Sequence, residues 1–233
     1  MPKTILVTGA GRGLGRTLAE LLAARGDEVV AHARSEDALR NVPHSKALIA
    51  DLARPETLAA AVEAARIERL DALVHNAGVA HIATVGGTDL ERWQESLAVN
   101  LTSPAELTRL LLPALRAAGG HVVFVNSGAG LAAGAGWGSY AAGKHGLRAL
   151  ADSLRAEEMA AGVRVTSVFP SHFDTDMQRR VRQGHDSDYD PDRATSPESI
   201  AATIAGVLDA PPDMVVNELR VAPPHPLPIR PRT

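Results

Sequence analysis

Short apolar runs recur along the chain with a helical stretch between most of them, and that alternation restricts the fold more than any other feature. Residues 5–8 (ILVT), 28–33 (EVVAHA), 46–51 (KALIAD), 72–76 (ALVHN), 121–127 (HVVFVNS) and 163–169 (VRVTSVF) read as strands, with 214–221 as a last one. Residues 14–26 read as a helix closed by Gly26, and 55–70 as one that tolerates Pro55 in its first turn. Residues 140–161 and 196–208 also have helical composition. Thr88 and Glu91 have the spacing of a capping box opening a long helical region, in which Pro104 predicts a kink or break and which Gly119-Gly120 ends. Six or seven strands separated by helices predict an α/β fold: a Rossmann-like, doubly wound, mostly parallel sheet with helices on both faces.

No linker and no repeat interrupts this pattern, so residues 1–222 are expected to form one domain. A chain of 233 residues is long enough for that domain to bury roughly 70% of its potential surface. Residues 176–195 are polar, mixed in charge and without a clean period, which predicts a mobile lid. The proline-rich tail, 223–233, is expected to run extended over the surface. At 45% apolar and 22% charged residues the chain reads as globular, and 3% aromatics leave little for a base-stacking platform. A formal net charge of -3 gives no bulk attraction to nucleic acid or an anionic membrane. The absence of cysteine excludes disulfides, thiolate catalysis and cysteine-ligated metal centres. No stretch approaches the roughly 20 apolar residues of a membrane span, and no apolar leader precedes the first strand, so a cytoplasmic protein is expected.

Between the first strand and first helix lies Thr8-Gly9-Ala10-Gly11-Arg12-Gly13-Leu14-Gly15. Glycines here let backbone approach a pyrophosphate, whose charge the helix N-terminus receives. Leu14 occupies the last glycine position of the usual dinucleotide fingerprint, and no Gly-Lys-Ser/Thr comes after it, which excludes a nucleotide-triphosphate loop. The second strand ends Ala33-Arg34, where a site for the unphosphorylated cofactor often carries an acid. Arg34 and Arg12 together favour NADP(H) over NAD(H), because a guanidinium pairs bidentately with a 2'-phosphate. Each arginine alone reads equally well as ordinary surface charge.

Tyr140 and Lys144 are four apart at the start of a predicted helix and project from one face. A nearby ammonium and an oxidised nicotinamide would favour the phenolate and lower the tyrosine's pKa from about 10. Ser127 lies at the carboxyl end of a central strand, where open α/β sheets bind ligands. Asn100 sits within a helical region, where an inward-facing amide needs partners. Singly, each of these reads more readily as structure.

As an ordered set, the residues resemble the classical short-chain dehydrogenase/reductase family over almost the whole chain. Thr8, Gly9, Gly13 and Gly15 match its Thr-Gly-x-x-x-Gly-x-Gly turn; Asp51-Leu52 resembles its adenine-contacting acid; and His75-Asn76-Ala77-Gly78 resembles Asn-Asn-Ala-Gly with the first Asn replaced. Its Asn-Ser-Tyr-Lys tetrad maps to Asn100, Ser127, Tyr140 and Lys144. Pro170-Ser171 stands where Pro-Gly is customary, and Thr175 resembles the family's carboxamide contact.

The resemblance implies a ketone or aldehyde reduced to an alcohol. Tyr140 would be the proton donor, Ser127 a hydrogen bond to the carbonyl oxygen, Lys144 a hold on the nicotinamide ribose, and Asn100 support for a proton relay. It also implies a homodimer through residues 101–117 and 140–160; the proline-rich tail puts the common homotetramer in doubt. His81, Trp137, His172 and Phe173 are candidates to line the substrate pocket, each equally readable as loop packing. His32, His75, His81 and His172 lack compact ligand spacing, so no metal is expected. Two other readings stay open: an NAD-dependent alcohol dehydrogenase of the same family, and a non-enzymatic dinucleotide-binding regulator.

Overall fold

The computed structural model describes residues 2–173, 179, 182, 189–211 and 213–226. Seven strands form one parallel sheet: β1 (Thr4–Val7), β2 (Glu28–Ala33), β3 (Lys46–Ile49), β4 (Ala72–His75), β5 (His121–Val125), β6 (Arg164–Pro170) and β7 (Glu218–Val221). Their order is β3-β2-β1-β4-β5-β6-β7, with every neighbouring pair parallel. The winding direction reverses between β1 and β4, which opens a crevice beyond their carboxyl ends.

The two-residue period of the strands decides which helices cover which face. Ile5, Val7, Val123 and Val125 point to one side, against Leu14, Leu18 and Leu22 of α1 (Gly13–Ala24) and Ile200, Ile204 and Leu208 of α6 (Pro197–Leu208). Leu6, Val122 and Phe124 point to the other. There they meet Leu58 of α2 (Leu58–Ala65), Leu107, Leu111 and Leu115 of α4 (Ser103–Ala118), and Leu147 and Leu154 of α5 (Gly138–Glu158). Both faces of the sheet are thus covered, as the near-continuous apolar strands require.

Three local expectations are corrected. The cap of α3 (Leu90–Leu97) is Asp89, whose carboxylate accepts from the Arg92 N–H; Thr88 instead donates to the Thr84 carbonyl. Pro104 does not break the helical run; it lies in the first turn of α4 directly after a π turn, Ala98–Thr102. Proline has no N–H for the carbonyl four residues back, and a wider turn accommodates that loss. The helix expected over 55–70 is a 3-10 turn, Pro55–Thr57, leading into α2, which stops at Arg66 in the left-handed region at φ 48°.

The last strand begins at 218 rather than 214. Most of the expected lid lies outside the described residues; of its end, Pro191–Arg193 is a 3-10 turn and Thr195 bridges Phe173. Among the described residues, no helix is long and apolar enough to cross a membrane, and no cluster of metal-ligating side chains occurs.

Among the described residues, three histidines are buried: His32, His75 and His121. His75 stacks on Phe124 at 4.9 Å between centroids and donates from Nε2 to Thr108, whose own proton goes to the Pro104 carbonyl. His121 pairs with Thr166 at 2.8 Å. Burial pushes His32 down to about 4 and both His75 and His121 down to about 3. All three lie below the ordinary unfolded value of about 6.5. Between about pH 6.5 and 4 the unfolded chain therefore binds more protons than the folded one, and acid favours unfolding. Each histidine contributes a slope approaching about 1.4 kcal/mol per pH unit inside that window. Urea unfolding at pH 7.5 and 5.5 should show a marked loss of stability at the lower pH; an unchanged midpoint would contradict neutral buried imidazoles.

Candidate active site

The crevice is organised around Thr8, the first residue after β1. Its N–H donates to the Val74 carbonyl, and its hydroxyl accepts from the backbone N–H groups of Asn76 and Ala77 at 2.9 and 3.0 Å. The Asn76 side chain returns a hydrogen bond to the Thr8 carbonyl at 2.9 Å. The glycine turn is thereby fastened to the Asn76-Ala77-Gly78 segment.

Close approach explains why glycine is needed. Gly9 has φ 69° and Gly13 φ 51°, in the region that disfavours side chains. A Cβ on Gly15 would stand 2.2 Å from the Gly9 carbonyl oxygen, and one on Gly11 2.9 Å from that of Ala38. Leu14, by contrast, is buried in the core against the sheet, so its side chain serves helix packing and only its backbone is available to the turn. Arg12, the extended residue before α1, is exposed, as is Arg34 just past β2. Asp51 is exposed and its carboxylate accepts from the Ala53 N–H; Leu52 turns into the core.

The tetrad residues come from three segments: Asn100 from the π turn, Ser127 from the loop after β5, and Tyr140 and Lys144 from α5. Asn100, on the π turn, is fully buried; its amide donates to the Val79 carbonyl at 2.9 Å and accepts from the Val79 N–H at 3.2 Å. It fixes the loop beyond Gly78. A Cβ placed on Gly78 would lie 3.1 Å from Asn100 Oδ1 and 3.6 Å from Lys144 Nζ, so both side chains converge on that glycine. Lys144 Nζ donates to the Val125 carbonyl at 2.9 Å and lies 5.8 Å from the centre of the Tyr140 ring. Ser127 hydrogen-bonds Tyr140, and its Oγ also accepts from the Ala129 N–H at 3.2 Å.

Burial governs the electrostatics of the pair. Burial destabilises the Lys144 ammonium and pushes its pKa down to about 8. Burial pushes the Tyr140 phenol up, while the hydrogen bond from Ser127 pulls it down by less; the lowering expected from the sequence also counts on the positive charge of an oxidised nicotinamide. Both groups lose solvation on leaving water, which favours the neutral form of each.

The outer candidates are dispersed. Trp137 tilts against Tyr140 with ring centres 5.8 Å apart. His81 is half-buried and pairs with Glu95 at 2.8 Å. Pro170 ends β6 and is buried. His172 has a positive φ of 51°, unusual for a residue with a side chain, and its Nδ1 meets the Ser171 hydroxyl at 2.6 Å. Burial lowers its pKa, as does the charge of Arg182. Phe173 packs against the α1 and α6 core, which gives it a structural task. Thr175 lies outside the described residues.

Sequence reasoning missed two participants. Asn126 is buried; its Oδ1 accepts from the Ser127 N–H at 2.8 Å, and its Nδ2 donates to the Lys144 carbonyl at 3.0 Å. It joins the segments carrying two tetrad members. An amide ending an otherwise apolar strand was the available signal. The other is His32, whose ring meets the Gly9 N–H.

A family model described as short chain dehydrogenase matches residues 3–186. The 3-oxoacyl-[acyl-carrier-protein] reductase FabG of Salmonella typhimurium is 33% identical over 187 residues, covering 77% of each protein. A metagenomic short-chain oxidoreductase solved in complex with NADP has a TM-score of 0.79 at 30% identity, with 95% of this chain and 97% of that one covered. An alcohol dehydrogenase from the archaeon Thermococcus sibiricus has a TM-score of 0.87 over 98% and 99% of the two chains; at 24% identity that likeness is one of fold. The family match, the sequence identity and the common architecture together make this chain a member of the short-chain dehydrogenase family.

Proposed function

We propose that the chain is an NADP(H)-dependent carbonyl reductase, converting a ketone or aldehyde to an alcohol in the cytoplasm as a homodimer through residues 101–117 and 140–160. The observation that carries this reading is the convergence of Ser127, Tyr140 and Lys144 beside the crevice at which the sheet reverses. The FabG relative is named as a reductase, and the metagenomic neighbour as an NADP complex.

The residues fit a dinucleotide. The glycine turn is a cradle that Cβ atoms would fill, set at the N-terminus of α1. Gly9, Gly11, Arg12, Gly13 and Leu14 would hold the pyrophosphate, with Arg12 and Arg34 toward the 2'-phosphate. Asp51 and Leu52 would border the adenine, while Asn76, Ala77, Gly78 and Pro170 would line the crevice. Tyr140 and Lys144 would hold the nicotinamide ribose, and Thr175 the carboxamide. When bound, the cofactor supplies the hydride.

The protein's own task is to manage the proton and the developing charge on oxygen. A phenol held protonated by burial at neutral pH is an acid able to donate to the carbonyl oxygen. The Ala129 N–H fixes Ser127 Oγ, and with a substrate in place the serine's proton would turn from Tyr140 to that same oxygen. The Lys144 ammonium then favours the phenolate that remains. Asn100 keeps the Val79 loop, and with it the Gly78 backbone, against Lys144.

Paired fluorescence titrations with NADPH and NADH at fixed salt should give tighter NADPH binding, and an NADH preference would overturn the cofactor assignment. Arg34→Asp should weaken NADPH about tenfold or more while affecting NADH less, because a charge-assisted hydrogen bond is lost. Equal weakening would move the 2'-phosphate away from Arg34. Tyr140→Phe should retain NADPH binding and lose about 10²- to 10⁴-fold in turnover; normal turnover in a folded variant would remove Tyr140 from the proton step.

A further inference from the structure

His32 stands on β2 with 2% of its surface exposed, on the same side of the strand as Val30, where the pattern calls for an apolar side chain. A buried imidazole is tolerated there only if its nitrogens are paired. Nδ1 receives the Gly9 backbone N–H at 3.1 Å, and Nε2 faces the Ala50 carbonyl at 3.2 Å. An amide can only donate and a carbonyl can only accept, so Nδ1 is bare and Nε2 carries the proton. Protonating the ring would set one N–H against another, and burial pushes the pKa down to about 4, which keeps the imidazole neutral. The His32 carbonyl meanwhile accepts from the Ala10 N–H at 2.9 Å. Two successive amides of the glycine turn therefore end on this one residue, and the same ring reaches the residue before Asp51.

We propose that His32 is a positioning residue for the cofactor crevice, fixing the phosphate-binding turn from its Nδ1 and the adenine-side loop from its Nε2. The proposal rests on the reading of the crevice as a dinucleotide site. Both halves lie in the part common to NADPH and NADH, so His32 governs affinity for the dinucleotide as such, separately from the arginines that choose between the two. Holding the turn in its bound form beforehand spares the ligand the cost of ordering it.

Two substitutions separate this role from general support of the fold. His32→Leu fills the space but leaves the Gly9 N–H and the Ala50 carbonyl unpaired. His32→Asn places Oδ1 where Nδ1 stood, keeping the acceptor for Gly9 and giving up Ala50. In the cofactor-free protein, hydrogen exchange at the Gly9 amide should accelerate in His32→Leu and return toward the wild-type rate in His32→Asn. The Kd for NADPH and for NADH should rise about tenfold in His32→Leu and recover in large part in His32→Asn, the size expected for a buried hydrogen-bonding group left unpaired. KM for the cofactor should move far more than kcat at saturation. Wild-type affinity in His32→Leu, or an asparagine variant no better than the leucine one, would overturn the role even where both melt at lower temperature. Wild-type protein that binds neither nucleotide would instead overturn the dinucleotide reading, and this inference with it.

Discussion

The hydroxyl of Thr8 is where the organisation of this molecule is decided. Strands β1 and β4 are paired neighbours at the point where the sheet reverses, and the Thr8 hydroxyl carries that pairing past their ends. One side chain accepts from two backbone N–H groups of the β4 exit, and Asn76 answers with a bond in the opposite direction. The interlock leaves no room for a Cβ at Gly15, so α1 packs directly on the turn. The same segment continues through Gly78 to Val79, where Asn100 takes over. A continuous line of hydrogen bonds thus runs from the glycine turn to the residues around Lys144.

Along that line the protein exchanges solvation for position. Lys144 is buried and has a backbone carbonyl as its fixed partner. Tyr140 loses water as well, and the two neighbours respond in opposite senses, the ammonium made easier to deprotonate and the phenol harder. Burial favours the neutral form of each, so a phenol that keeps its proton sits beside a lysine whose charge is held less firmly than in water. Asn126, linking the Ser127 and Lys144 backbones, keeps that arrangement from relaxing.

What the sequence makes legible is what depends on local spacing. Residues 28–33 are read as a strand and form one with the same bounds, because their neighbours Gly26 and Arg34 punctuate a clear apolar run. Tyr140 and Lys144 lie one helical turn apart, and their side chains do meet. The assignment of helices to faces follows from strand alternation. What escapes is set by partners distant in sequence: His32 acts on a glycine 23 residues earlier, and the direction of the Tyr140 shift depends on how completely the surrounding loops exclude water. Asp89 displaces Thr88 as a helix cap because two adjacent residues can both serve, and only the path of the preceding loop selects one. His75 reads in sequence as a departure; in the fold it is a stacked, hydrogen-bonded part of the core.

The π turn at Ala98–Thr102 has a consequence for where the two ends of its helical run are aimed. It amounts to one extra residue in a helix, and each residue rotates the next by about 100° around the axis. The side of α3 bearing Glu95, the partner of His81, is therefore offset by that fixed angle from where an unbroken α-helix would set it relative to the side of α4 that packs Leu107, Leu111 and Leu115 on the sheet. One added residue thus aims one end of the helical run at His81 and the other at the core, with Asn100 in the joint between them.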